Sequence, residues 1–287
     1  MSKEIYLSNI EREILHLESL KRRDIKMLLF DLDDTICRTG PIFRQHYDLV
    51  ADLLYKNNPL FSPPEWRKKI VSASDQDFLT SGVSPSRFIT VSNVLASQYN
   101  LSRNLEDQMV QTFEKIYHTP VKYLPGAKEG LEFVSKLNIP RGVVTHANVK
   151  WTERKYEWIN LNNYFDWDNI FIVDENGQKT EESWKEAARF FKTDPSQCAV
   201  YGNSPKHDIN PAWKAGIRHC SLIKDPNLWT LYDEEVPKET KKIKDLSQIL
   251  DEGIDYLPRF TPRKITSLGS NLLRSSKLTC AKINQDV

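Results

Sequence analysis

Four consecutive apolar residues, Met27-Leu28-Leu29-Phe30, run without a break into Asp31-Leu32-Asp33-Asp34-Thr35-Ile36. That junction constrains the fold more than any other stretch of the chain. A short, uninterrupted apolar run suits a parallel strand buried on both faces. Such a strand cannot carry ionised carboxylates in its interior, so Asp31, Asp33 and Asp34 must lie where it emerges. In an open α/β sheet that carboxyl end is where ligands bind. Asp31 and Asp33 are two residues apart, and an extended backbone through them would aim both at one side, with Leu32 at the other.

Clustered carboxylates repel one another and become tolerable when a divalent cation or a proton bridges them. Either arrangement suits phosphoryl transfer, in which one carboxylate attacks phosphorus and a second handles the proton of the leaving group. A helix cap or an Asx-turn explains the same local residues equally well. The rest of the chain decides between them.

The chain of 287 residues is long enough for a full core and a second small domain. Its 40 Lys and Arg balance 39 Asp and Glu, for a formal net charge of +1, which gives no global pull toward nucleic acid or an anionic membrane. With 39% hydrophobic and 28% charged residues, a globular chain is expected. Cys37, Cys198, Cys220 and Cys280 form no C-x-x-C pair, so neither a zinc site nor a disulfide framework is suggested. Cys198 and Cys220 fall in strand-like runs and read as small buried hydrophobes. Residues 1–26 contain no uninterrupted apolar segment, and no later run is long enough to span a bilayer, so a cytoplasmic location is expected.

Residues 1–26 read as one amphipathic helix, with Ile10, Ile14, Leu17 and Leu20 on its apolar stripe. Residues 37–119 read as an all-helical insert. Phe43, Tyr47, Val50 and Leu54 form one stripe, Phe88, Val91, Leu95 and Tyr99 a second, and Met109, Phe113 and Ile116 a third. Asn58-Pro59, Ser62-Pro63-Pro64-Glu65 and Ser84-Pro85 supply the turns and caps between them. From residue 120 to 257 strands alternate with helices. The strands are expected at Arg141–Thr145, Asn169–Val173, Cys198–Tyr201 and His219–Ile223, with an edge strand at Lys241–Lys244. That alternation predicts an α/β fold: a Rossmann-like parallel sheet, built from 27–36 and 120–257, with helices on both faces. Residues 258–287 carry Arg259, Arg263, Lys264, Arg274, Lys277 and Lys282 against Asp286 alone, and read as a basic, disordered tail. A basic amphipathic helix through Ile265, Leu268, Leu272 and Leu273 is the alternative, with weak contact to a membrane or an acidic protein.

Three further sites follow strands, as Asp31 does. Thr145 ends a strand and precedes His146-Ala147-Asn148, where a hydroxyl and free backbone N–H groups can cradle a phosphate. Lys179 follows the turn Glu175-Asn176-Gly177-Gln178 and can neutralise a phosphoryl group and a carboxylate beside it. Gly202-Asn203-Ser204-Pro205-Lys206-His207-Asp208 offers a tight turn and a carboxylate for a metal. Singly, Thr145 reads as an N-cap, Lys179 as a surface charge and Asp208 as a helix cap. Their order after successive strands makes coincidence a poor explanation.

In these residues the chain resembles the haloacid dehalogenase-like (HAD) hydrolase superfamily, of the helical-cap phosphatase type. D-x-D-x-T matches Asp31, Asp33 and Thr35; the strand-ending Thr matches Thr145, the Lys before a helix Lys179, and the Gly-rich acidic loop Gly202 to Asp208. The resemblance covers residues 27–256 and implies that the insert is a cap. It implies that Asp31 attacks phosphorus to form an aspartyl-phosphate, and that Asp33 protonates the departing alcohol and then activates water. It further implies that Thr145 and Lys179 hold the transferring group, and that Mg²⁺ is held by Asp31, the Asp33 backbone carbonyl and Asp208, with Asn203 beside it. Asn203 stands where the family usually has Asp, and brings no charge. Lys179 is followed by Thr180 rather than Pro, and His146 replaces the commoner Asn. Asp33 favours ester hydrolysis over dehalogenation, which has no alcohol to protonate. The expected activity is thus Mg²⁺-dependent hydrolysis of a small phosphorylated metabolite, with no nucleic-acid partner. The alternatives are a phosphomutase, or an interaction protein of weak or absent activity. Arg38, Arg44, His46, Trp66 and Lys69 lie early in the insert, where surface charge and packing explain them as well as substrate contact.

Overall fold

The computed structural model describes residues 9–84, 86–173, 178–224 and 233–255. The expected tail, the first eight residues, and Glu175, Asn176 and Gly177 of the turn before Lys179 lie outside these. Strand β1 (Met27–Phe30) is central. It pairs in parallel with β2 (Arg141–Thr145) on one side and β4 (Cys198–Gly202) on the other; β3 (Ile170–Ile172), β5 (His219–Ile223) and β6 (Lys241–Ile243) complete the order β3-β2-β1-β4-β5-β6. All the pairings are parallel, so every strand tip carrying a candidate residue points the same way. The order reverses at β1, which makes its tip a topological switch point.

Alternation along β1 explains its unbroken hydrophobicity. Leu28 and Phe30 enter one core with Val143, Ala199 and Tyr201, while Met27 and Leu29 enter a second with Val144, Cys198 and Val200. Phe30 stacks on Tyr201 at 5.0 Å between ring centroids. Leu28, Leu29 and Phe30 are fully buried, and each contributes about 1.5–3 kcal/mol. Cys198 and Cys220 are buried and unbridged, filling space as small hydrophobes. The second face is covered by α8 (Glu181–Phe190), through Trp184, Ala187 and Ala188, and by α9 (Asn210–Lys214), through Ala212. On the first face lie α1 (Asn9–Arg22), α6 (Ala127–Lys136) and α7 (Val149–Trp158), with α10 (Ile249–Asp255) against α1.

Between β1 and α6 the chain forms α2 (Gly40–Asn57), α3 (Pro63–Ser81), α4 (Arg87–Tyr99) and α5 (Arg103–Glu114). Phe88 stacks on Phe113 at 4.7 Å, and Tyr47 meets both rings edge-on, so the three sequence stripes share one core. Glu65 accepts from the Ser62 N–H, closing the start of α3. The two connections to the sheet run side by side: Arg38 N–H donates to Lys122 O and Leu124 N–H to Ile36 O.

Helix α1 differs from its expected face. Leu15, His16, Ser19 and Leu20 are buried, whereas Ile10 is 58% and Leu17 36% exposed. His16 turns the helix: its ring packs edge-on against Phe133 at 5.5 Å, and Arg12 pairs with Asp251 on α10. A histidine reads as polar in a periodicity count, yet its ring fills core space when neutral.

Burial, with Arg23 and Lys241 nearby, pushes the His16 imidazole down to about 3 from its ordinary 6.5. A lowered folded value means that the neutral ring stabilises fully above pH 6.5, and that this contribution is lost as the pH falls from there toward 3. In urea titrations, His16→Leu should therefore lose stability less steeply than the parent below pH 6.5, by up to about 1.4 kcal/mol per pH unit. Identical slopes would show that the ring takes up its proton in place.

Candidate active site

The tip of β1 leaves the sheet in a tight loop. Asp31 N–H still donates to Tyr201 O, continuing the ladder, and Ile36 and Cys37 N–H both turn back onto Leu32 O. Asp34 adopts φ +56°, and its carboxylate accepts the N–H groups of Thr39 and Gly40 at 2.9 Å. Asp34 therefore caps α2, a favourable place for a negative charge, and with Asp31 and Asp33 it lines the cavity.

Lys179, just ahead of α8, is buried and donates to Asp31 Oδ1 at 2.5 Å and Asp208 Oδ1 at 2.8 Å. Asp208 lies in a π-helical turn, Pro205–Ile209, and its other oxygen accepts Ser204 N–H at 2.9 Å. Gly202 makes this turn possible, since a Cβ there would sit 2.5 Å from Asp208 Cβ. Asp208 is thus both a turn-closing residue and a carboxylate of the site. Burial and the charge of Asp208 push the Asp31 carboxyl up to about 7, against the pull of Lys179. Burial alone would lower Lys179, but Asp208 and Asp31 outweigh it and hold the ammonium protonated.

Asp33 has a separate partner that the sequence reading missed. Lys155, on α7, is fully buried and donates to both Asp33 oxygens, at 2.8 and 2.7 Å. Its ammonium also lies 4.1 Å from the Trp151 ring centroid. A signal was present: Trp151, Lys155 and Ile159 fall at i, i+4 and i+8, which puts a lysine in the middle of an apolar stripe. Trp151, buried on α7, also lines the cavity.

Asp31, Asp33, Lys179, Asn203 and Asp208 all line this one cavity. Thr145 does not. It lies at the end of β2, fully buried, and its Oγ1 has no hydrogen-bond partner among the described residues. His146 takes the lining position, its ring 5.9 Å from that of Phe78 on α3. His207 also lines the cavity, held down to about 4 chiefly by burial. Of the early insert residues, Arg38 and Arg44 flank a separate open groove with Arg67, His46 bonds Ile42 O, Trp66 is buried in the insert, and Lys69 lies over Phe61.

At the strand tips, then, two ammoniums face the three carboxylates of Asp31, Asp33 and Asp208. Among the described residues no three His, Cys, Asp or Glu are grouped to hold a metal ion. Mg²⁺, however, is commonly held by one or two carboxylates, with waters and phosphate oxygens completing its shell. Asp31 Oδ2 is buried and without a hydrogen-bond partner among the described residues, and Asp33, Asn203 and Asp208 bring further oxygens to the same cavity. The residues present fit such an ion.

A profile of the haloacid dehalogenase-like hydrolases matches residues 25–216. The chain belongs to this family. No curated protein matches it in sequence. Among solved structures it is similar to a haloacid dehalogenase-like family hydrolase from Xanthomonas campestris, at TM-score 0.64 and 14% identity over 87% of this chain and 95% of that one. A 2-haloacid dehalogenase from Pseudomonas syringae pv. Tomato gives TM-score 0.53 and 24% identity, covering 80% and 98%. A HAD phosphatase from Thermococcus onnurineus gives 0.53 and 19%, covering 79% and 97%. At these identities the likenesses establish the α/β Rossmann-like fold. Among the described residues no helix is long and apolar enough to cross a membrane.

The Asp33–Lys155 pair predicts an asymmetry. Asp33→Ala strands an ammonium that is 0% exposed, whereas Lys155→Met strands a carboxylate that is 26% exposed and partly hydrated. Urea denaturation should give a loss of about 3–5 kcal/mol for the first and about 1–3 for the second. Equal losses would mean that water reaches Lys155.

Proposed function

We propose that this HAD-family hydrolase is a Mg²⁺-dependent phosphatase acting on a small phosphate monoester. The observation that carries this reading is the convergence of Asp31, Asp33, Lys179 and Asp208 on one cavity, with Asp33 held apart from the Asp31–Lys179–Asp208 cluster by its own lysine. Two carboxylates in different surroundings suit two different roles. Asp33 also favours ester hydrolysis over dehalogenation, which has no alcohol to protonate.

In this reading Asp31 is the nucleophile. Its Oδ2 attacks phosphorus and the ester oxygen departs, leaving an aspartyl-phosphate on Asp31. Asp33 lines the same cavity; entering the step protonated, it gives the departing oxygen its proton and becomes a carboxylate, then takes a proton back from the water that hydrolyses the acyl phosphate, which regenerates both Asp31 and the acid form of Asp33. Lys179 balances the charge of the transferring group. Thr145 would join it only if its buried hydroxyl turned toward the cavity. Asp31 and Asp208, with the Asp33 carbonyl and Asn203, would hold Mg²⁺, which when bound neutralises the charge building on the phosphoryl oxygens. A phosphate dianion brought beside these carboxylates would add to their mutual repulsion, which a divalent cation offsets. The helical insert, 37–119, would then be the cap that closes over the substrate and excludes water.

Full-length protein should hydrolyse p-nitrophenyl phosphate with Mg²⁺, lose that activity in EDTA and recover it when Mg²⁺ is restored. Asp31→Asn keeps the shape of the side chain and should lower kcat by about three orders of magnitude or more. Undiminished turnover in that variant would remove Asp31 from the nucleophile's role, and no turnover across a broad phosphate ester panel would favour a binding protein on the same fold.

A further inference from the structure

The insert presents to the cavity a charge that the hydrolytic step does not use. Arg87, at the start of α4, is only 9% exposed and lines the same cavity as Asp31. Its Nη2 donates to Ser74 O at 2.9 Å and Ser74 Oγ at 2.6 Å. The guanidinium lies over Phe78 at 5.0 Å and near Phe88 at 5.7 Å. Stacking occupies the faces of a guanidinium and leaves its N–H donors free in the plane. Its Nε is buried and has no acceptor among the described residues, and no described carboxylate pairs with Arg87. Asp75 lines the cavity too, but it stops short of an ion pair with Arg87.

A buried guanidinium left without a counter-charge is costly, so its site favours an incoming anion. Bracing the insert explains the Ser74 bonds and the stacking, but not a charge turned toward the cavity and left unpaired. The phosphoryl group is served elsewhere. Lys179 sits among the strand-tip carboxylates, and the Phe78 ring neighbours both Arg87, at 5.0 Å, and the two histidines of the strand-tip loops, 5.9 Å from His146 and 5.6 Å from His207. Phe78 is itself fixed from the sheet side, since Gln178, next to Lys179, donates to its carbonyl at 2.8 Å.

We propose that Arg87 is a specificity residue: it receives an anionic substituent, a carboxylate or a second phosphate, on the alcohol portion of the substrate. Asp75 receives a hydroxyl or amino group beside that anion. The fitting substrates are therefore compact phosphate esters of hydroxy acids or amino alcohol acids, or compact bisphosphates, rather than neutral alkyl phosphates. This rests on the phosphatase reading.

The test is kcat/KM, with Mg²⁺, for two matched pairs of esters. Phosphoglycolate against ethyl phosphate isolates a carboxylate, and fructose 1,6-bisphosphate against fructose 6-phosphate isolates a second phosphate. Wild-type protein should prefer the anionic member of at least one pair by about 10–100-fold, the range for a hydrogen bond to a charged group. The preferred pair identifies the anion. In Arg87→Gln that ratio should collapse toward one, and Arg87→Lys should retain part of it, as a point charge without the planar fork. An absence of preference in wild type for either pair would overturn the assignment even if neither variant folds. So would an unchanged ratio in a folded Arg87→Gln, or an equal fall for both members of each pair, which would place Arg87 on the transferring phosphoryl group or in a bracing role. Turnover of p-nitrophenyl phosphate without any such preference sinks the anion subsite alone, whereas no turnover of any ester sinks the phosphatase reading, and the subsite with it.

Discussion

Three carboxylates that cannot be buried alone, gathered at the carboxyl ends of parallel strands, set the terms for this structure. Asp31, Asp33 and Asp208 are drawn together by the sheet and would repel one another without compensation. Two lysines supply it, one on α7 and one just ahead of α8. Lys179 bridges Asp31 and Asp208, and Lys155 takes both oxygens of Asp33. One buried oxygen, Asp31 Oδ2, is left without a hydrogen-bond partner among the described residues, and such an oxygen favours a cation.

The remaining architecture serves to hold these groups. Parallel pairing on both sides of β1 brings the ends of β2 and β4 beside Asp31. The acidic run divides its duties: Asp34 turns the chain and caps α2, so the residues that start the insert also fix the loop carrying Asp33. Contact in the other direction comes through α7. Trp151 meets Phe43 of α2 at 5.7 Å and Tyr117, which follows α5, at 5.1 Å, while Lys155 reaches from the same helix to Asp33. Arg154 donates to Tyr117 O at 3.0 Å. The insert and the proposed acid–base residue thus share one packed helix, a physical route by which the insert's position can bear on Asp33.

Much of this was legible before any coordinates. β1, β2 and β5 fall where the apolar runs place them, and the insert's three stripes become its buried core, because apolar periodicity records burial directly. What stayed hidden has one common cause: polar side chains in buried places. His16 turns α1 away from its expected stripe because a neutral imidazole packs as a ring. Lys155 and Arg87 drew no reading from sequence, since a long basic side chain on a helix is normally solvated. Only a partner more than a hundred residues away in the chain, Asp33, makes Lys155 a buried ion-pair residue. Thr145 shows the converse: its place at a strand end was foreseen, but whether its hydroxyl opens to the cavity depends on packing around β2.

Taken alone, then, the sequence determined which residues end strands and which segments are helical, and so that the carboxylates of Asp31 and Asp208 and the ammonium of Lys179 would gather at one end of a parallel sheet. These follow from short-range rules: alternation of hydrophobicity, turn chemistry and the cost of burying charge inside a strand. The tertiary structure alone decided the strand order, the pairing of Lys155 with Asp33, and the placing of Arg87 and Phe78 over the strand tips. Those depend on contacts between distant parts of the chain, where the energy of a buried charge is fixed by what happens to pack beside it and not by its neighbours in sequence.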